Sequence, residues 1–377
     1  MRRQSFIVLA AVTAVVVIGA AVAVSIRDND VQTAGDGGLM FPALYANAND
    51  IDQLVIKSSE GGTITMKQSG DRWVVAEKSD YPADFEKVRG TLLSLSQMRT
   101  VEPRTAKPEL LARLELGDVD AKDSKSVAVT ARKGGDTVAD VLIGRWQATG
   151  QDQGMFVRRA GEDQSWLVKD GTTRPDKRVT QWLDRNIVNV DQRRVKSVTI
   201  THAGGDVVRI VKPNPAEGNY TLASKVPAGR EPKAPHELET LASITDFLIL
   251  DDVRPAKDLD FAKPAVKVQT VTYDGLVLNF EGVEKDDRFW VRVTPGEGDR
   301  DTALAAFIEA NKGKETAEGR TAAQFKTSEE VTEQIAAIKA ATDGWAYQLT
   351  DYKTDKIRMD TQGITQPPAA AEAKPQN

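Results

Sequence analysis

Two stretches of the chain decide its fold, because they repeat one design. Residues 51–67 read IDQLVIKSSEGGTITMK, and residues 195–212 read VKSVTITHAGGDVVRIVK. In each stretch apolar residues alternate with polar ones on both sides of a Gly-Gly pair, which is typical of a β-hairpin. The pattern therefore predicts the same antiparallel hairpin near the beginning of two successive units.

The segments that follow these hairpins also correspond. A further strand pattern comes next, DRWVVAEK at residues 71–78 and GNYTLASK at residues 218–225. Each unit then has an amphipathic helix pattern and a second hairpin pattern, at residues 127–142 and 266–280. The apolar faces predicted for the two helices consist of Phe85, Val88, Leu92 and Leu95, and of Leu238, Leu241, Ile244 and Leu248.

These patterns predict an α+β protein built from tandem duplicated units of antiparallel β-hairpins, each with a packed amphipathic helix. The units are predicted at residues 45–190 and 191–352, after a linker at residues 28–44. The second unit carries a helical insert at residues 300–342. Residues 353–377 end in a segment rich in Pro, Ala and Gln, which predicts a disordered tail.

The N-terminus predicts a membrane anchor. An uncharged run at residues 6–26 begins with Phe6 and ends with Ile26, and a helix of that length spans the roughly 30 Å hydrocarbon core. Arg2 and Arg3 precede the run, which places residues 1–27 with the N-terminus in the cytoplasm. The chain is therefore predicted to be a single-pass protein of the inner (cytoplasmic) membrane, with its bulk in the periplasm. A cleaved signal peptide is the alternative.

Composition excludes several classes of functional site. The chain has no cysteine and two histidines, His202 and His236, which removes thiol nucleophiles, disulfides and the common zinc and iron-sulfur sites. A net charge of -5 argues against general nucleic-acid binding. Neither a phosphate-binding glycine motif nor a G-x-S-x-G motif occurs. The sequence thus predicts no catalytic residue, no cofactor and no metal site.

Two places in the sequence are candidates for binding a partner, which is a glycan or a protein at the first place and a protein at the second. Trp146 is predicted to lie on a polar loop between Gly144 and Gly154, where an aromatic side chain is available to a partner. In the insert, one predicted helix is marked by apolar residues and another begins at a capping box, Thr327-x-x-Glu330. The apolar residues of the first insert helix, also predicted to bind a partner, are Leu304, Phe307 and Ile308.

The order of these motifs resembles a known family. The motifs follow one another as the hairpin, the Trp73 strand, YPAD at residues 81–84, the helix, PRTAKPELLARLEL and the second hairpin. In this order they resemble the bacterial envelope family called domain of unknown function 4340, over roughly residues 45–270. The resemblance implies an accessory partner of ABC-type export systems, including those linked to gliding motility. It implies no catalytic residue.

Two functions from different classes follow. The first is a non-enzymatic, inner-membrane-anchored periplasmic accessory or binding subunit, whose partner is a membrane protein such as an ABC-type permease. The second is an envelope hydrolase or carbohydrate-binding protein with a carboxylate site between the two units, which requires two carboxylates about 5 to 9.5 Å apart. A structure distinguishes the two by showing which carboxylates and aromatic side chains share a cleft.

Overall fold

The computed structural model describes residues 38–100, 102–148, 153–168, 174–216, 218–313 and 322–368. The chain divides into two compact units, unit 1 up to Leu183 and unit 2 from Asp184. Within these ranges no helix has both the length and the apolar character needed to cross a bilayer. The anchor predicted at residues 6–26, with Arg2 and Arg3, lies outside the described residues.

Unit 1 is built on an antiparallel sheet in which nine strands are described, in the order β4-β3-β2-β1-β6-β7-β8-β9-β5. The strands are β1 (Gln53–Ser58), β2 (Gly62–Ser69), β3 (Arg72–Val75), β4 (Tyr81–Pro82), β5 (Glu102–Pro103), β6 (Val127–Lys133), β7 (Asp136–Gln147), β8 (Gly154–Arg159) and β9 (Ser165–Val168). The predicted first hairpin is confirmed, because β1 pairs with β2 from Gln53–Lys67 to Ser58–Gly62. Gly62 adopts φ +69° in the turn, a conformation that favours glycine.

Three α-helices are described in unit 1. They are α1 (Pro42–Asn47), α2 (Phe85–Ser96) and α3 (Pro108–Leu111). Asp84 caps α2 by accepting a hydrogen bond of 3.0 Å from the backbone N–H of Lys87. Val88, Leu92 and Leu95 are buried as predicted, whereas Phe85 is 53% exposed. The prediction for Phe85 was wrong, because it is the first residue of the helix and side chains tilt toward the helix N-terminus, away from the buried turns.

Unit 2 also has an antiparallel sheet with nine described strands, in the order β10-β15-β19-β18-β17-β16-β11-β12-β13, and a small β14-β20 pair. The strands are β10 (Asn186–Val188), β11 (Val195–His202), β12 (Val207–Val211), β13 (Thr221–Leu222), β14 (Glu231–Pro232), β15 (Leu248–Pro255), β16 (Val266–Thr272), β17 (Leu276–Lys285), β18 (Arg288–Glu297), β19 (Trp345–Leu349) and β20 (Thr365–Gln366). The α+β class with antiparallel hairpins is therefore confirmed.

The helices of unit 2 partly follow the predicted pattern. The described helices are α4 (Pro235–Ala242), α5 (Thr302–Ala310), α6 (Ser328–Thr342), α7 (Asp351–Ile357) and α8 (Thr361–Ile364). The capping box of Thr327 and Glu330 is present at the start of α6. Leu248 does not belong to the helix face as predicted. The chain turns at Phe247 with φ +45°, and Leu248 begins β15.

The C-terminal segment differs most from its prediction. Residues 353–368 are described, and through Gln366 they form secondary structure rather than a disordered tail. Ile357 and Ile364 are buried, β20 pairs with β14, and the Arg230 guanidinium donates to the Thr365 hydroxyl at 2.7 Å. The Pro- and Ala-rich composition that predicted disorder is confined to the last eleven residues. It does not include Ile357 and Ile364.

Candidate functional site

A concave surface of unit 2 forms a cleft of about 930 Å³. We call it the C-terminal cleft. It lies between the tip of the β11-β12 hairpin, the segment after β13, the neighbouring ends of β16, β17 and β18, and residues 358–362. The C-terminal segment therefore forms one wall, and its docking creates the cleft.

Polar side chains of the hairpin tip hold this wall in place. Asp206 accepts a hydrogen bond of 2.8 Å from the Thr361 backbone N–H and another from the Thr361 hydroxyl. The His202 Nε2–H donates to the Met359 carbonyl at 3.0 Å. Burial opposes ionisation of Asp206, but the hydrogen bonds from Thr361 outweigh it and hold the pKa of this carboxyl below its ordinary value. Asp206 is therefore a charged anchor for the C-terminal segment.

Three residues with catalytic potential share the cleft without forming a catalytic arrangement. Ser224, His202 and Asp206 all line it. The Ser224 hydroxyl makes no hydrogen bond to a described residue, while His202 and Asp206 are bound to Met359 and Thr361. Nucleophilic catalysis by serine needs a base within hydrogen-bond reach. Within the described part of the chain, no group of three or more His, Asp or Glu side chains is placed to hold a metal ion.

Unit 1 has a different candidate, a groove of about 450 Å³ along α2 that is lined by both apolar and polar side chains. Phe85 and Leu93, which are 53% and 49% exposed, stand on its rim. Ile51, Trp73 and Leu92 form its buried lining. Eight residues separate the two rim side chains, which is about 12 Å along a helix axis. This groove therefore presents two large apolar side chains to solvent on one helix.

Trp146 is also on the surface of unit 1. Its side chain is 47% exposed, whereas Trp73, Trp182 and Trp290 are buried. The predicted loop position was wrong, since Trp146 lies in β7 and pairs with Met155 of β8, beyond a register shift that follows Ile143. A strand holds an aromatic side chain more rigidly than a loop does. The exposed ring supports its assignment as a candidate contact.

The insert residues predicted to bind a partner lie inward. Leu304 is fully buried, Phe307 is 5% exposed and Ile308 packs against the same cluster. The Phe307 ring meets the Phe325 ring edge-to-face at 5.6 Å between centroids, and Phe325 meets Tyr273 in the same way at 6.1 Å. In this arrangement the apolar face of α5 contributes to the core of unit 2 and is not a free surface.

A buried ion pair fixes the insert to the sheet of unit 2. Arg194 Nε donates to Asp274 Oδ2 at 2.8 Å, and both side chains are almost fully inaccessible to solvent. The Arg194 guanidinium also donates to Gln334 Oε1 of α6 at 3.1 Å, and Asp274 accepts from the Lys326 backbone N–H at 2.9 Å. Each charge therefore has a partner in the sheet region and another in the insert, which makes the insert an integral part of unit 2.

Sequence reasoning missed the groove and the cleft for different reasons. The signal for the groove was available, because Leu93 lies next to the buried Leu92 and cannot share its helix face. The cleft had no local signal. Asp206 and Thr361 are 155 positions apart, and the second of them was assigned to a disordered tail.

Comparison with known proteins gives the family. A search of curated proteins found no match to the chain. Residues 73–265 match the family model described as Domain of unknown function (DUF4340). The match extends from β3 of unit 1 to the residue before β16 of unit 2, which is just over half of the 377 residues. Together with the antiparallel α+β architecture, this match shows that the chain belongs to the family Domain of unknown function (DUF4340).

Proposed function

We propose that this protein is a non-enzymatic accessory subunit that binds a membrane protein of an ABC-type transport system. The observation that carries the proposal is the set of large exposed apolar side chains of unit 1, namely Phe85 and Leu93 at the groove and Trp146 on β7. Large aromatic and aliphatic side chains at the surface are typical of protein contacts, and Trp is among the residues that contribute most to binding energy.

The setting we propose is the envelope. Residues 6–26 anchor the chain in the inner membrane, Arg2 and Arg3 keep the N-terminus in the cytoplasm, and both units lie in the periplasm. A fusion of alkaline phosphatase after Asn377 tests this topology, because the phosphatase needs export for activity. An active phosphatase is expected. Activity of a cytoplasm-only reporter at the same position would contradict the proposed orientation.

We also propose that the two units arose by tandem duplication. The supporting observation is the strand order: β3-β2-β1-β6-β7-β8-β9-β5 of unit 1 corresponds, strand for strand, to β13-β12-β11-β16-β17-β18-β19-β15 of unit 2. In both units the helix follows the third of these strands along the chain. A binding role fits such a duplication, because the surface of one copy can diverge to bind a partner while both copies keep the same fold.

Pull-down of the full-length, tagged chain from solubilised membranes tests the partner. The double variant Phe85→Ser, Leu93→Ser is expected to lower recovery of an ABC-type permease at least tenfold, because central apolar contacts each contribute about 2 kcal/mol or more. Phe247→Ser is the matched control, since Phe247 is a 70% exposed aromatic residue of unit 2. Equal permease recovery by the double variant and the wild type would overturn the role of the groove.

A further inference from the structure

The acidic side chains of the C-terminal cleft are each held by donors of the protein itself. Asp206 binds the backbone and hydroxyl of Thr361, as described above. Glu284 forms an ion pair of 2.9 Å with Arg358. Asp360 accepts a hydrogen bond of 2.7 Å from the Gly363 backbone N–H. These three carboxylates are therefore already engaged, which lowers their capacity to bind a cationic ligand.

Two donors of the cleft are in the opposite situation. The Ser224 hydroxyl is buried and makes no hydrogen bond to any described residue. The next residue, Lys225, is exposed and has no carboxylate partner in the described part of the chain. A buried hydroxyl without a hydrogen-bond partner is energetically unfavourable, because it has lost its hydrogen bonds to water. A ligand that accepts a hydrogen bond from Ser224 would remove this penalty, and a negative charge would also attract Lys225.

The rest of the cleft adds an apolar surface beside these donors. Val207, 39% exposed, lies at the hairpin tip, and Pro227, Val266 and Phe289 line the same cleft. Phe289 is covered on one side by the Arg358 guanidinium, 5.1 Å from its ring. Sites of this size bind molecules that are mostly apolar and are oriented by a few polar groups.

We propose that the C-terminal cleft of unit 2 binds an organic anion, a carboxylate or phosphate group on an apolar body, with Ser224 and Lys225 holding the anionic group. The anionic oxygens accept from the Lys225 ammonium and, once the Ser224 side chain rotates toward the cleft, from its hydroxyl, and the apolar body lies along Val207 and Pro227. The anionic group can come from a free metabolite or from a lipid headgroup.

This inference deepens the proposed function and rests on it for one point, namely that the bound anion is cargo or substrate of the partner transport system. Anion binding itself is measured on the purified full-length chain without a partner. Loss of anion binding with retained permease capture would reject the cleft site alone. Retained anion binding without permease capture would reject the proposed partner alone.

The test uses three six-carbon probes that differ in their polar group: hexanoate, hexyl phosphate and hexylammonium. Saturation-transfer NMR on the full-length chain is expected to show saturable binding of the two anions and at least tenfold weaker binding of hexylammonium. Binding of anions should weaken as salt is raised, because Lys225 is exposed and its charge is screened. Competition with phosphatidylglycerol vesicles distinguishes the two sources of the anion. The vesicles displace hexyl phosphate if the cleft accepts a lipid headgroup, and hexyl phosphate stays bound if the cleft accepts only a free anion.

Variants then assign the binding to the two donors. Lys225→Gln and Ser224→Ala are each expected to weaken hexanoate binding about three- to tenfold, the range for loss of one hydrogen bond or one partly screened charge. Lys339→Gln, which changes an exposed lysine of α6 outside the cleft, is the matched control and should bind as the wild type does. Equal binding of hexylammonium, unchanged affinity in both cleft variants, or no saturable binding of either anion would each overturn the proposal.

Discussion

Units 1 and 2 share one order of strands, but they differ in the segments that pack against the helix of each unit. In unit 1, α2 leaves Phe85 and Leu93 exposed beside a groove. In unit 2, the corresponding helix α4 has no large exposed apolar side chain, and its C-terminal end is held by α7 through Lys353 and Lys356. One strand order therefore supports two different helix surfaces, one with exposed apolar side chains and one covered at its end by α7.

The insert and the C-terminal segment of unit 2 are joined to its sheet by buried contacts. The insert contributes Leu304, Phe307 and Phe325 to a buried cluster and two partners to the Arg194–Asp274 ion pair. The C-terminal segment contributes Ile357 and Ile364. Removing the insert would therefore expose a buried aspartate and an aromatic cluster. Point variants separate the roles of the two units more cleanly than deletion does.

The largest effect is expected from breaking the buried ion pair of unit 2. Arg194→Met leaves Asp274 buried without its cation and should lower the free energy of unfolding of unit 2 by about 3–5 kcal/mol. Urea unfolding followed by hydrogen exchange in each unit measures the loss. Lys57→Gln in unit 1, which removes an exposed pair with Asp120, should lower stability by less than about 1 kcal/mol. Similar losses in the two variants would contradict the role of burial.

A smaller loss is expected from the apolar core of the insert. Leu304→Ala should destabilise unit 2 by about 2–5 kcal/mol, because a fully buried leucine is replaced and a cavity remains. The comparison in unit 1 is Leu93→Ala, which changes a side chain that is 49% exposed and should alter stability by no more than about 0.5 kcal/mol. Thermal unfolding checks both. A stable Leu304→Ala variant would show that the insert does not support unit 2.

Helix caps provide a matched pair of weaker perturbations. Asp84→Ala in α2 and Thr327→Ala in α6 each remove a side chain that accepts a hydrogen bond from the first turn. Each should lower stability by about 1 kcal/mol, and faster hydrogen exchange should be confined to the first turns of the affected helix. Thr332→Ala, inside α6, is the control. Loss of protection throughout unit 2 in the Thr327 variant would show that the cap acts on more than its helix.

A further effect is a dependence of the stability of unit 2 on pH between 8 and 10.5. Burial and the neighbouring Lys356 lower the pKa of Lys353 from 10.5 to about 8, although Asp246 opposes the shift. The folded state therefore binds fewer protons than the unfolded state between pH 8 and 10.5, and the contribution of Lys353 to stability rises with pH across this window.

Replacing Lys353 tests this dependence. The free energy of unfolding of the wild type, relative to Lys353→Met, should increase from pH 8 to pH 10.5 in urea titrations. Lys339→Met, a change at an exposed position of α6, should retain the wild-type slope. A parallel pH dependence of the wild type and the Lys353 variant would show that this ammonium group is not desolvated in unit 2.

Much of the local architecture could be predicted from sequence, because it depends on neighbours along the chain. Alternation of apolar residues around Gly61-Gly62 and Gly204-Gly205 predicted the hairpins, and Thr327 with Glu330 predicted the start of α6. Helical spacing placed Val88, Leu92 and Leu95 on a buried face. These features follow from the periods of the strand and the helix, which relate residues only a few positions apart.

The sequence by itself determined the α+β class, the antiparallel hairpins and the helix caps, since each is encoded by short-range patterns. Tertiary structure decided which apolar residues stay in solvent and which segments close the sheet. Leu304 and Phe307 are buried because Tyr273 and Phe325 pack against them from other parts of the chain. Phe85 is exposed because it is the first residue of its helix and precedes the buried turns. The C-terminal cleft exists because Asp206 binds Thr361 across 155 positions, a pairing that no local period encodes.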